Sequence, residues 1–166
     1  MRLLALILAT WGVGYVPGMP GTYGSAVGVL LCWAWLTWGG GFAAYVALTV
    51  ALGAVGVWAA GAAERAFGRE DDGRIVVDEV VGQLVALAPV VLWLRDRTLL
   101  PALVTGFVLF RVFDIAKPGP VGRAERGFPG GVGVMADDVV AGAMAAALLA
   151  LGLVLLAGGF GWEATG

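Results

Sequence analysis

Histidine is absent from the 166 residues, and cysteine occurs once, at Cys32. The first absence removes imidazole as a general base, nucleophile or metal ligand. The second removes any disulfide framework and any thiolate metal site. Charge is also scarce. Ten Lys or Arg and twelve Asp or Glu make up 13% of the chain, against about 25% in an average soluble domain. The net charge of −2 argues against nucleic acid as a partner. No glycine-rich loop runs into Gly-Lys-Ser/Thr, so the P-loop is missing too. Whatever acid–base or metal chemistry the chain performs rests on Asp, Glu, Lys and Arg.

Apolar residues fill the space: 60% of the chain is hydrophobic and the mean hydropathy is +0.93. This composition predicts an all-α, polytopic membrane bundle, with a soluble all-α domain of unusually buried core as the competing reading. Residues 1–166 are expected to form a single membrane-embedded domain, with no linker and no internal repeat.

Five to six apolar segments are visible: Leu3 to Gly14, Ser25 to Trp38, Phe42 to Ala63, Val80 to Leu94, Leu99 to Phe113 and Val139 to Ala157. The first resembles a signal peptide in charge and length. It lacks a clean cleavage site and is expected to stay as a short or partly inserted helix. Several segments fall short of the roughly 20 residues of a full crossing, so their polar flanks lie close to the hydrocarbon edge. Gly53–Gly56 and Ala141–Ala147 are rich in small residues that let helices approach closely in lipid.

Two kinds of break separate the segments. Trp38 to Gly41 and Arg95 to Thr98 are tight turns, whereas Tyr15 to Gly24, Glu64 to Glu79 and Asp114 to Asp138 are longer and carry nearly all the polar chemistry. If each pair of segments joined by a tight turn is a hairpin, all three rich loops lie on one face. Arg65, Arg69, Arg74, Arg111, Lys117, Arg123 and Arg126 are on that face; Arg95 and Arg97 are opposite. The excess of bases predicts that the rich face is cytoplasmic.

Three constellations stand out. Met19 to Ser25 is a Gly-rich turn opening a helix. Its free amides, with Gly21, Thr22 and Ser25, suit a phosphate; the alternative is a Pro-Gly turn with a side-chain N-cap. Asp78 and Glu79 are adjacent carboxylates at a helix start, where the dipole favours them and where they also offer hard oxygen ligands for Mg²⁺. Arg111, Asp114 and Lys117 recur at a spacing of three, on one face of a helix end. Pro118 is expected to stop that helix and Pro120 to prevent its resumption. Gly130, Gly131 and Gly133 then make a flexible approach to Asp137-Asp138, which opens the last helix. Snorkelling bases and dipole-matched acids explain each charge singly. A metal site explains why Asp78, Glu79, Asp137 and Asp138 start two helices on one face. The run Arg69 to Asp72 reads as solvated.

Four stretches in register give the chain a resemblance to the bacterial phosphatidylglycerophosphatase A family: PGTYGS from Pro20, DGRIVVDEVVG from Asp72, FRVFDIAKP from Phe110 and GGVGVMADDVVAG from Gly130. Order, spacing and intervening helices fit over nearly the whole chain. Gly119 stands where an aromatic is common, Glu125-Arg126 where an Asp-Arg pair is common, and Pro129 where a His is common; the acidic motif residues are all present.

The resemblance implies a Mg²⁺-dependent phosphatase of the bacterial cytoplasmic membrane, with its site facing the cytoplasm. It would hydrolyse phosphatidylglycerophosphate to phosphatidylglycerol and inorganic phosphate. Asp78, Glu79, Asp137 and Asp138 would hold one or two Mg²⁺; Lys117 and Arg111 would bind phosphate oxygens; Asp114 would be either a nucleophile or a base directing water; Thr22, Gly21 and Ser25 would assist phosphate binding. The rivals are a phosphatase for another membrane lipid phosphate, an ion-coupled transporter and a structural membrane protein. A transporter would place its acids near the bilayer midplane, whereas these sit at helix ends. The oligomeric state is open.

Overall fold

A computed structural model describes residues 1–94 and 99–159. The described residues contain seven α-helices and no strand: α1 (Arg2–Thr10), α2 (Pro20–Thr37), α3 (Phe42–Phe67), α4 (Val77–Trp93), α5 (Leu99–Ala116), α6 (Gly119–Gly127) and α7 (Gly130–Gly159). A short 3-10 turn, Val13–Tyr15, joins α1 to α2. The Arg95–Thr98 turn of the sequence reading, with Arg95 and Arg97, lies outside the described residues.

Local chemistry sets the helix ends. Pro20 opens α2, where its missing N–H costs nothing. Gly68 closes α3 in the left-handed conformation. Asp78 and Glu79 occupy the first turn of α4, facing the positive end of the helix dipole.

At the centre lies α4, which packs against α2, α3, α5 and α7. Most of its length is buried, from Val77 through Val91. Tyr45 of α3 donates its hydroxyl to the Leu84 carbonyl at 2.8 Å, inside the core. The other helices turn apolar side chains outward: Leu30 and Trp33 on α2, Val50 on α3, Leu100 and Val104 on α5, Val154 and Leu155 on α7 are all exposed. Such an outer surface matches lipid rather than water. Three helices, Phe42–Phe67, Leu99–Ala116 and Gly130–Leu156, are long and apolar enough to cross a membrane.

The polar breaks of the sequence are more helical than expected. Residues 20–25 are the first turns of α2, not a turn preceding it. The stretch from Asp114 to Asp138 is not a loop. Pro118 caps α6 and Pro120 sits in its first turn, the one place a proline favours a helix. Gly130 breaks direction with φ +61°, and α7 runs from there. Asp137 and Asp138 therefore lie two turns inside α7 rather than at its start. Gly131 and Gly133 are buried helix positions; a Cβ on Gly131 would strike the Val57 carbonyl of α3.

Candidate active site

Four chain segments meet at one end of the bundle. Their junction is built on glycines. A Cβ on Gly142 of α7 would run into the Gly82 carbonyl of α4, and one on Gly82 would meet the Asp138 carbonyl at 2.7 Å. The two backbones therefore touch, which brings Asp78 and Asp138 together. On the other side of α4, Gly21 of α2 faces Glu79 Oε1 and the Arg111 guanidinium, with no room for a side chain.

The result is a carboxylate cluster. One oxygen from each of Asp78, Glu79 and Asp138 lies within 4.8 Å of the other two. Asp78 and Asp138 are buried, at 7% and 3% exposure. Asp78 Oδ1, Glu79 Oε2 and Asp138 Oδ1 have no hydrogen-bond partner among the described residues. Three ionised carboxylates at this spacing would repel by about 3 kcal/mol per pair at an effective dielectric of about 20. Buried, unpaired and mutually repelling oxygens fit a hard divalent cation, which takes oxygen ligands.

The fourth expected ligand goes elsewhere. Asp137 accepts a hydrogen bond from Lys117 Nζ at 2.9 Å. Successive helical residues point about 100° apart, so Asp137 and Asp138 cannot both face α4. Lys117 leaves α5 with φ +43°, a conformation costing a non-glycine residue roughly 1–2 kcal/mol. That turn carries it off the face it would share with Arg111 and Asp114, toward α7.

Arg111 joins the remaining elements. Its Nη1 donates to Asp114 Oδ2 and to Ser25 Oγ at 3.4 Å. Its Nε is buried and has no partner among the described residues. Asp114 lies within electrostatic reach of Glu79 and Asp138. Ser25 Oγ donates to the Gly21 carbonyl at 2.9 Å, so it braces the helix from within and is not an N-cap. Gly21 and Thr22 sit in the first turn of α2, where backbone N–H groups lack helical partners. A cleft of about 200 Å³ is lined by Asp137, Phe128, Gly130, Glu64, Glu70 and Asp71, and by none of the three clustered carboxylates. The larger cavity, of about 400 Å³, lies away from the carboxylates between Arg2, Trp58 and Arg65.

Two residues escape the sequence reading. Asp72 is buried, not solvated. It accepts from Arg74 Nε at 2.7 Å and Nη2 at 2.9 Å, and this pairing holds its carboxyl below the usual range. Arg74 in turn stacks 3.7 Å over the Phe67 ring. The pair fastens the loop that delivers Asp78. Gln83 is fully buried, and neither end of its amide has a partner among the described residues. Its signal in the sequence was a lone amide in an apolar helix, four residues after Glu79 and so on the same face.

Fold and site together define a helical membrane protein with, at one end of the bundle, a carboxylate cluster that could hold a metal ion. A model of the phosphatidylglycerophosphatase A family matches residues 6–153. The chain belongs to that family. A protein of Bacteroides thetaiotaomicron named "Putative phosphatidylinositol-3-phosphatase" is 40% identical over 153 residues, covering 90% of this chain and 92% of the relative. The phosphatidylglycerophosphatase A of Escherichia coli K12 is 34% identical, covering 87% of this chain and 80% of the relative. That of Haemophilus influenzae is 32% identical, covering 82% and 80%. No solved structure matches the chain.

Proposed function

We propose that this protein is a divalent-metal-dependent lipid phosphatase that hydrolyses phosphatidylglycerophosphate to phosphatidylglycerol and inorganic phosphate. The observation that carries the reading is the buried Asp78–Glu79–Asp138 cluster, with unpaired oxygens, beside Arg111. Asp78, Glu79 and Asp138 would hold Mg²⁺. When bound, the ion would supply Lewis-acid neutralisation of the phosphoryl oxygens.

The remaining residues divide the work on a phosphomonoester dianion. Arg111, with its unpartnered Nε, binds a phosphoryl oxygen. The first-turn amides of α2 at Gly21 and Thr22 bind another. Arg111 occupies Asp114 Oδ2, which leaves Oδ1 to accept the proton of the attacking water. The water oxygen bonds to phosphorus as the bond to the headgroup oxygen breaks, and that oxygen leaves as a hydroxyl by taking a proton from solvent, to which Asp114 returns the one it accepted. Lys117 adds positive charge beside the leaving group and is held there by Asp137. The acyl chains stay in lipid between the helices. We place the motif end at the cytoplasmic face of a bacterial cytoplasmic membrane, from its basic residues.

A second reading has its own support. The relative at 40% identity carries the name of an inositol-lipid phosphatase, so an inositol lipid monophosphate is the alternative substrate. Phosphate release by purified protein from each lipid, with and without Mg²⁺, decides between them. Asp138→Asn and Asp78→Asn should each lower turnover by at least about a hundredfold, the scale of losing a central electrostatic group. Asp137→Asn should cost far less. Turnover that ignores Asp138→Asn would remove the metal-centre proposal. A hydroxylamine-labile phosphate trapped on Asp114 would replace the water mechanism with a covalent one.

A further inference from the structure

The site has an electrostatic difficulty. Asp78, Glu79, Asp114, Asp137 and Asp138 surround it, with Arg111 and Lys117 as the cations among them. Even with a divalent ion bound, little positive field extends outward to draw in an anionic lipid. The next cationic element along the chain is α6, where Arg123 and Arg126 outnumber Glu125.

Its position follows from its neighbours. α5 and α7 are both long and apolar enough to cross a membrane, and α6 links them. The Lys117–Asp137 pair closes this link at the site end of the bundle. α6 therefore lies at the membrane surface, next to the cluster. Its nine residues are two-faced. Val121 is fully buried, against a core that includes Phe110 and Ala141. Arg123 and Arg126 are exposed. Directly after the helix, Phe128 is 55% exposed. A buried aliphatic anchor, an outward arginine pair and an exposed aromatic are the parts of a helix that rests in a lipid headgroup layer.

We propose that α6 is an interfacial docking helix for anionic phospholipid headgroups. Arg123 and Arg126 collect lipid phosphate at the mouth of the site, and Phe128 seats the helix at the acyl boundary. The lipid contact stands on the membrane placement alone. Its use in gathering substrate rests on the lipid-phosphatase reading.

The test uses the full chain in bilayer discs. Gly127→Cys, where a side chain meets open space, carries a bimane label in a Cys32→Ser background. Nitroxide-labelled phosphatidylglycerol and phosphatidylcholine are compared as quenchers at equal mole fraction. The anionic lipid should quench several-fold better. Arg123→Gln/Arg126→Gln should bring the two lipids to parity, and the double Lys variant should keep the preference. Equal quenching with both arginines present overturns the proposal. So does a preference that survives the glutamines, or a label that neither lipid reaches; the last outcome would point to a protein partner instead. Turnover gives a second reading. With substrate in phosphatidylcholine, the glutamine variant should raise KM by roughly fivefold per arginine and leave kcat at saturation in place. Retained quenching preference with no phosphatase activity would sink the functional reading and leave α6 as a lipid-binding helix.

Discussion

At the residue scale, the site depends on direction more than on composition. Asp137 and Asp138 are neighbours of the same chemistry. One reaches Lys117 and the other reaches Asp78 and Glu79, because a helix turns between them. Gln83 poses the opposite case, a polar group with no partner among the described residues. An unpaired buried amide costs about 1–3 kcal/mol. Gln83→Met, similar in volume, should therefore stabilise the metal-free protein by about that amount. Thermal unfolding in detergent would measure it, and a clear loss of stability would mean that the amide is bonded. The sequence made the acidic inventory legible, since so few carboxylates flank apolar helices. It did not reveal which acid joins the cluster. That choice is fixed by how α7 sits against α4, where the Gly82–Gly142 contact brings the two backbones together.

At the element scale, the long apolar segments were easy to read and the polar breaks were not. Prolines and glycines between Lys117 and Gly133 suggested a flexible loop. Pro120 instead favours the first turn of α6, and Gly131 is a contact point against α3. Single-residue rules saw breakers; their place relative to a helix start or a neighbouring backbone reversed the meaning. The α4–α7 seat is the element on which the cluster depends. Gly142→Val should force the two helices apart, at a cost of at least about 1–3 kcal/mol. It should also abolish turnover, because Asp138 leaves Asp78. Gly152→Ala, with nothing within 4 Å of the added carbon, serves as the tolerated control in the same α7. Melting and activity measurements on both variants separate helix packing from helix propensity. Equal effects would show that the close contact is not what seats α7.

At the scale of the whole molecule, a hairpin count was enough to gather the motif segments at one end. Gly21, Glu79, Arg111 and Asp138 do converge there. The unequal segment lengths read from the sequence persist in the helices. α3 and α7 have 26 and 30 residues, about 39 and 45 Å at 1.5 Å per residue. Two of the helices that contribute to the site, α2 and α4, have 18 and 17, about 27 and 26 Å. A hydrocarbon layer is about 30 Å thick, and neither α2 nor α4 is among the helices long and apolar enough to cross it. Where the short α2 turns its exposed Leu30 and Trp33 to lipid, the bilayer is expected to thin, drawing the headgroup plane down toward the carboxylates as a shallow basin. Acyl length then becomes a control on the enzyme. Across a series of phosphatidylcholine bilayers from thin to thick, kcat/KM should fall severalfold as the layer outgrows the short helices. A flat series would mean that the lipid does not bend to meet the protein. If it does bend, the shortness of α2 and α4 brings the substrate's phosphate down to the depth of the site.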